Sequence, residues 1–300
     1  MTASVVPPST GDSLVAKVEW RRRPAAATLL RVVRRPAGAV SMCFLVLLVI
    51  VAILAPLLAP HDPYTQSLSE RFQGVSWSHP LGTDDFGRDV LSRLIYATRI
   101  AVIAPLVAVG IALLLGLPAG LLAGYKKGRV GAVFARISET LLSIPPIVAA
   151  IAIVAVLGPG LVRMMLAVGI VYAPRVFRVV RSAVLSVSEE TYILSSQAIG
   201  ASTRRVVWVH CLPNVLAPLL VQTSLMMGFA LIAESSLSFL GLGIQLPEAS
   251  WGSMLRSASQ NQFNAPYAVI APGVALTLTI LALNTVGDVI RDAVSDRGLT

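Results

Sequence analysis

Apolar residues along this chain fall in long blocks rather than in strict alternation. Six blocks approach the 18–20 residues that cross a bilayer: 38–59, 97–123, 132–157, 161–180, 214–236 and 266–287. Each predicts a transmembrane helix. The third holds Arg136, Glu139 and Pro145-Pro146, so an irregular span is expected there. Just before the second block, GRDVLSRLIYATR sets Val90, Leu91, Leu94 and Ile95 at helical spacing, with Arg88, Asp89 and Arg93 elsewhere. That pattern predicts an amphipathic helix, lying at the membrane surface or leading into the second span.

One segment breaks the apolar pattern: YILSSQAIGASTRRVVWVHCLPN, Tyr192 to Asn214. Ser186 or Ser188 is expected to cap a helix with Glu189 and Glu190 in its first turn. That helix runs through Tyr192, Ile193 and Ile199, and Gly200 supplies a bend. Ser202 caps a second helix, TRRVVWVHCL, which Pro213 is expected to break or kink where the fifth span begins.

The basic residues orient the blocks. Arg71, Arg88, Arg93, Arg99, Arg163 and Arg256 lie on one side, leaving 18 of the 24 Lys and Arg on the other. The larger group marks the cytoplasm. Both termini and Tyr192–Asn214 are therefore expected inside, and residues 60–96 and 237–265 outside. Composition agrees with a polytopic membrane protein: 55% of the residues are apolar and 13% charged, against about 25% charged in soluble domains. The net charge of +9 does not indicate nucleic acid, because the basic residues sit at the ends of the spans and form no continuous patch. About 37 residues precede the first block, which is too long for the h-region of a secretory signal. Within that tail, Glu19–Arg35 is expected to fix topology; the alternative is a place on the inner leaflet, each exposed cation contributing about 1 kcal/mol with anionic lipid. Cys43 and Cys211 are expected to be free thiols.

No enzyme site is apparent. The sequence has no G-x-x-x-x-G-K-[ST] phosphate loop, no H-E-x-x-H and no G-x-S-x-G. The GDSL at Gly11–Leu14 stands in the tail, far from any hydrolase context. His61, His79 and His210 are isolated in sequence, and Thr83–Asp89 does not fit a calcium loop. No catalytic residue, metal site or cofactor is expected on this chain. Glu234, Ser235 and Ser238, near the outer end of the fifth span, are candidates to line a pathway. An acid at that depth is costly unless it meets water or a polar partner. The alternatives are a structural hydrogen bond or a group at headgroup level.

The polar segment resembles the cytoplasmic signature of permease subunits of binding-protein-dependent ABC importers. Gly200, Leu212 and Pro213 fall at that signature's spacing, and His210 stands at its Ile position. Leu194, Ser195 and Ser196 occupy its Glu-Ala-Ala positions, which is a departure. His79–Arg99 resembles the outward signature of the second permease of dipeptide and oligopeptide importers, and Ala233–Gly243 with Ser250–Leu255 resembles a later one. The resemblance implies an all-α protein of six transmembrane helices with the type I ABC importer permease fold. It divides the chain into a basic tail (1–37), a first helix with its outward segment (38–96), a five-helix core (97–287) holding a coupling segment (186–213), and a C-terminal tail (288–300). It implies docking of an ATPase through Tyr192, Leu194, Ser195, Ser196, Ile199, Gly200, Ala201, Leu212 and Pro213. It also implies two ATPase subunits or domains that bind ATP and Mg, a homologous second permease, an extracytoplasmic peptide-binding protein, and residence in a bacterial plasma membrane. Nickel or glutathione cargo, and a stand-alone secondary transporter or channel, are the alternatives.

Overall fold

The computed structural model describes residues 35–126 and 128–295. The expected topology-fixing tail, Lys127 and the last five residues lie outside the described residues. Among the described residues the chain is helical, with one isolated bridge between Thr83 and Asp89. The order is α1 (Pro36–Leu58), α2 (Val90–Tyr125), α3 (Arg129–Leu142), α4 (Pro146–Leu157), α5 (Leu161–Ser188), α6 (Thr191–Ala198), α7 (Thr203–Arg205), α8 (Leu212–Phe239), α9 (Trp251–Gln260) and α10 (Ile270–Ser295).

The centre of the fold is the contact between α2 and α5. Every fourth residue of α2 from 104 to 124 is small and buried: Ala104, Ala108, Ala112, Gly116, Gly120 and Gly124. Small side chains on one stripe let two backbones approach closely, which is how helices associate without a hydrophobic drive between them. On α5, Val176, Val180 and Val184 fill the space opposite. A Cβ built on Gly116, Gly120 or Gly124 would stand 2.7 Å from the Cβ of the facing valine in each case. Residue numbers rise together on the two helices, so α2 and α5 run parallel. The intervening chain must therefore travel back along them. By the register of the valines, Leu161 is level with about residue 101 of α2, so the return covers roughly 24 residues of helix, or ~36 Å. The α3–α4 pair makes that return with a bend of 94° between the helices. The expected third span is thus two helices. Pro145 and Pro146 locate the bend, since neither can donate into a continuing helix.

α8 packs antiparallel to α10, with Gly228 facing Asn284 and Gly287 facing Leu225. α1 closes the other side, where Arg99 Nε donates to Ala52 O at 3.0 Å. Arg35 pairs with Asp292 at 2.5 Å, so the start of α1 and the end of α10 share one side of the molecule.

By length and composition, α1, α2, the Thr203–Phe239 run and the Pro266–Ala293 run suit a membrane, and the bent pair makes a fifth candidate span. α5 has three arginines in every eighteen-residue window, always including Arg175 and Arg178, although it is 28 residues long. α1 turns Val40, Ile53 and Leu57 outward, as an element bathed in lipid would. The surface helix expected before the second span is the first turns of α2, which runs from Val90 to Tyr125 without a break. Its two internal prolines, Pro105 and Pro118, do not interrupt it.

Candidate functional site

The polar segment forms a short surface helix with a defined end. α5 continues through Ser188, whose hydroxyl donates back to Leu185 O at 2.9 Å, so Ser188 is not a helix cap. The expected start moves to Thr191, and Glu189 and Glu190 form the link instead of a first turn. Ile193 is fully buried and pins α6 to the core. The described side chains around it are exposed or half-exposed. Ser195 spends its hydroxyl on Thr191 O, one turn back.

Gly200 ends this helix at φ +87°, the left-handed region that favours glycine. The Ala201 N–H then reaches back to Ser196 O at 3.0 Å. This is the six-to-one bond of a Schellman ending. Ser202 caps α7, accepting from the Arg205 N–H. Pro213 does not break the following helix. From Val206 to Cys211 the backbone winds as a π-helix, and the Leu212 N–H bonds Val207 O. A widened turn relieves the proline's clash with the preceding turn, and the Asn214 side chain satisfies His210 O at 2.7 Å. Pro213 therefore sits in the first turn of α8.

The residues expected to face a partner divide into two groups. Ile199 is 87% exposed. Ala201 and Leu212 are turned toward the chain's own core. Tyr192 is tied internally, its hydroxyl accepting from Asn214 Nδ2 at 3.1 Å and its ring edge meeting His210. Two apolar residues that sequence reasoning passed over, Trp208 and Val209, are more than half exposed beside them. Val206, Val207 and Cys211 supply the buried side of that turn, which leaves Trp208 and Val209 for the outside.

At the opposite end of α8, Glu234 is 1% exposed and Ser238 likewise. Ser238 Oγ donates to one carboxylate oxygen at 2.7 Å and Ser235 Oγ to the other at 3.1 Å. These three residues form a polar cluster within the fold, as the structural hydrogen-bond alternative expects, and Ser238 also borders a cavity beside the cluster. The cluster abuts Ser250, the capping residue of α9, whose side chain and Ser253 satisfy each other's backbone N–H. Gly252 allows this approach, because a Cβ there would lie 2.4 Å from Ser235 O.

Between this cluster and the loop before α2 lies a cavity of about 370 Å³, bordered by Asp84, Arg88, Arg93, Glu248 and Arg256. The loop is built on two glycines. Gly82 at φ +73° and Gly87 at φ +72° press against Gln73 O and Ser67 O respectively, where no Cβ fits. Asp84 accepts from the Phe86 and Arg88 N–H groups and from Arg88 Nε at 2.8 Å. Its oxygens are occupied, consistent with the absence of a calcium-loop pattern. Nearby, burial and then the Glu248 carboxylate push the Tyr64 hydroxyl above its ordinary range, which keeps it neutral.

A helical membrane body with a capped surface helix at one end and a polar cavity at the other has the form of a transport subunit. The comparisons define it further. Residues 116–298 match the binding-protein-dependent transport system inner membrane component, and residues 24–74 match the N-terminal transmembrane domain of oligopeptide transport permease C. The chain belongs to the binding-protein-dependent transport system inner membrane component family. The dipeptide transport system permease protein of Alkalihalophilus pseudofirmus is 37% identical over 297 residues, covering 99% of this chain and 96% of that one. The di/tripeptide transport system permease protein of Pseudomonas aeruginosa is 39% identical over 86% of this chain and 87% of its own length. The glutathione transport system permease protein of Pectobacterium atrosepticum is 35% identical over 93% and 98%. In fold, the chain is similar to the inward-facing methionine ABC transporter MetNI, with a TM-score of 0.51 over 68% of this chain and 96% of that chain at 19% identity. It is a multi-pass inner-membrane permease of an ABC importer. The stand-alone transporter alternative falls with that assignment.

Proposed function

We propose that this permease forms one half of a pathway for short peptides, opposite a homologous second permease. ATP is hydrolysed on separate ATPase subunits, and an extracytoplasmic binding protein delivers the cargo. Six crossings are supported by parity. The Arg35–Asp292 pair puts the start of α1 and the end of α10 on one side, which requires an even number of passes. Four long runs and the bent pair make five, and α5 supplies the sixth. Arg175, Arg178 and Arg181 fall in the half nearer α6 and Arg163 in the first turn at the other end, and from both places long cationic side chains reach the aqueous boundary. The excess of Lys and Arg supports a cytoplasmic location for that side and for both termini.

The observation that carries the reading is the α6–Gly200–α7 unit. It is a helix anchored at one buried residue, ended by a glycine-dependent turn, and flanked by exposed Ile199, Trp208 and Val209. Apolar anchors of this kind suit insertion of a helix into a partner's groove. Leu194 stands at the family signature's acidic position, so that contact is expected to be less sensitive to salt than an ionic one. The names of the similar permeases support peptide cargo, and the glutathione relative supports a second, chemically related cargo.

The test is purification from the native membrane with mass spectrometry of associated chains, followed by competition of labelled dipeptide uptake by glutathione and Ni2+. Recovery with ATPases and a second permease, and uptake blocked by unlabelled dipeptides alone, is the expected result. Recovery as a lone chain would overturn the assembly. Blocking by glutathione or Ni2+ would reassign the cargo and leave the assembly intact.

A further inference from the structure

The outward connection between α1 and α2 brings together two of the histidines that are far apart in sequence. His61 follows the end of α1, His79 lies in the loop, and Asp89 caps α2. The His61 and His79 rings face each other at a tilt, with centroids 4.8 Å apart and planes 31° from parallel. His79 Nδ1 is 3.0 Å from Asp89 Oδ1, and His61 Nδ1 is 3.9 Å from Asp89 Oδ2. One ligand-capable atom from each of the three residues lies within 4.8 Å of the others. The absence of a metal site expected from sequence does not take this convergence into account.

We propose that His61, His79 and Asp89 bind a borderline divalent transition metal, Zn2+ foremost, that clasps the α1–α2 connection to the first turn of α2. The donor set is two imidazoles and one carboxylate. This set suits Zn2+ and its neighbours, whereas Ca2+ and Mg2+ call for oxygen donors. Bond lengths of about 2.0–2.1 Å place the donors of such an ion roughly 3–4 Å apart; the two imidazole–carboxylate spacings, 3.0 and 3.9 Å, fall in that range, and the widest donor spacing is 4.8 Å. His61 is the exposed member, so a small rotation of its ring completes the approach and leaves the remaining position open to the outside. An ordinary hydrogen bond accounts for His79 with Asp89. It does not account for a second imidazole placed beside them with its Nδ1 beyond hydrogen-bonding reach of the carboxylate.

The three ligands are held by two serines, Ser92 and Ser76. The His61 N–H donates to Ser92 Oγ at 3.0 Å, and the His79 N–H donates to Ser76 Oγ at 3.0 Å. Asp89 Oδ2 accepts from both the Ser92 N–H and Ser92 Oγ, which fixes the carboxylate and leaves Oδ1 toward His79. Those two bonds also take up part of the carboxylate's charge, so micromolar rather than nanomolar affinity is expected.

The test uses the full permease in its assembled complex, freed of affinity tags, stripped with chelator and reconstituted in nanodiscs. Titration with Zn2+ should give one ion per permease at micromolar Kd, uncompeted by Ca2+ or Mg2+. Cu2+ in its place should give an electron paramagnetic resonance spectrum with coupling to two nitrogens. His61→Gln, at the exposed member of the cluster, should weaken Zn2+ binding by about tenfold or more while leaving assembly intact. No Zn2+ binding, unchanged affinity in His61→Gln, or a Cu2+ spectrum without two nitrogens would each overturn the site. The Cu2+ spectrum is taken on the wild-type complex, so the test does not depend on how any variant folds.

Discussion

Replacing Gly200 isolates a backbone effect from a packing effect. The residue sits at φ +87°, and a Cβ built on it meets no heavy atom within 4 Å. Gly200→Val therefore introduces no clash with a neighbour. Its cost is the left-handed conformation alone, about 1–2 kcal/mol for an L residue, and a β-branched residue belongs at the upper end. That shifts the local balance between the closed helix end and a frayed one by roughly 5–30-fold. Fraying gives up the Ala201–Ser196 bond and releases α6 from the turn that aims it. Asparagine tolerates the left-handed region far better than valine, so Gly200→Asn should keep most of the wild-type behaviour, and Gly200→Ala should fall between. The assay is the ratio of peptide transported to ATP hydrolysed in proteoliposomes, with ATPase co-purification as a control for assembly. The expected order of coupling is Gly, Asn, Ala, Val. Wild-type coupling in Gly200→Val would refute a role for the α6 turn in ATPase coupling. Equal loss in the Asn and Val variants would refute the backbone argument, because strain could not then be the cause.

Three further outcomes are expected. Gly120→Ala should lower the thermal stability of the purified complex by overpacking against Val180, on the order of 1–3 kcal/mol, and Val180→Ala in the same chain should restore part of it; additive losses would rule out direct contact. Glu234→Leu should leave the Ser235 and Ser238 hydroxyls without their acceptor, at about 1–3 kcal/mol, lowering the melting temperature and leaving the KM for peptide unchanged, whereas a raised KM at unchanged stability would restore a pathway role. Trp77→Cys, at an exposed site, should label with an impermeant thiol reagent only from outside, and Arg129→Cys only from inside, in a background lacking Cys43 and Cys211; labelling of both from one side would overturn the topology. Gly82 is a poor reporter position, since its φ of +73° and its contact with Gln73 O leave no room for a side chain.

Local rules located much of this fold. Block length found the helices, and the glycine and serine of the polar segment found the end of α6 and the cap of α7. Three features did not follow from local rules. The fate of Pro213 depended on a π-turn, a backbone solution that a proline invites but does not dictate. The helical extension of α5 to Ser188 did not show, because Arg175, Arg178 and Arg181 mark the end of a span and not the end of a helix. The histidine cluster required the loop of residues 60–89 to fold back, which no periodicity encodes. One signal was present and unused. The run of small residues at 104, 108, 112, 116, 120 and 124 has a strict period of four. With Val176, Val180 and Val184 at the same period on α5, it specifies the central contact of the protein and its parallel sense.

The same geometry links Gly200 to the cavity at the far end of α8. Thr203 to Phe239 reads as one helical run of 37 residues, about 55 Å long. One end is fixed to the α6 turn by the Ser202 cap and by Asn214, which bonds both Tyr192 and His210. The other end holds Glu234 and Ser238 against the capping residue of α9, beside the cavity. Neither attachment is a flexible tether: one is a set of backbone-directed bonds and the other a buried carboxylate with its hydroxyl donors. α2 and α5 cannot slide past each other without forcing glycines against valines, so they form the stationary block. The rod of α7 and α8 bears on that block near mid-height, where Tyr172 of α5 donates to Phe229 O at 3.1 Å and Arg175 lies over both rings. If α6 is displaced, rotation of the rod about this contact is the expected way for the displacement to reach the cavity at its other end. Tyr172→Phe removes the Tyr172–Phe229 hydrogen bond of that contact while keeping its ring, which makes it the substitution that separates a pivot from mere packing.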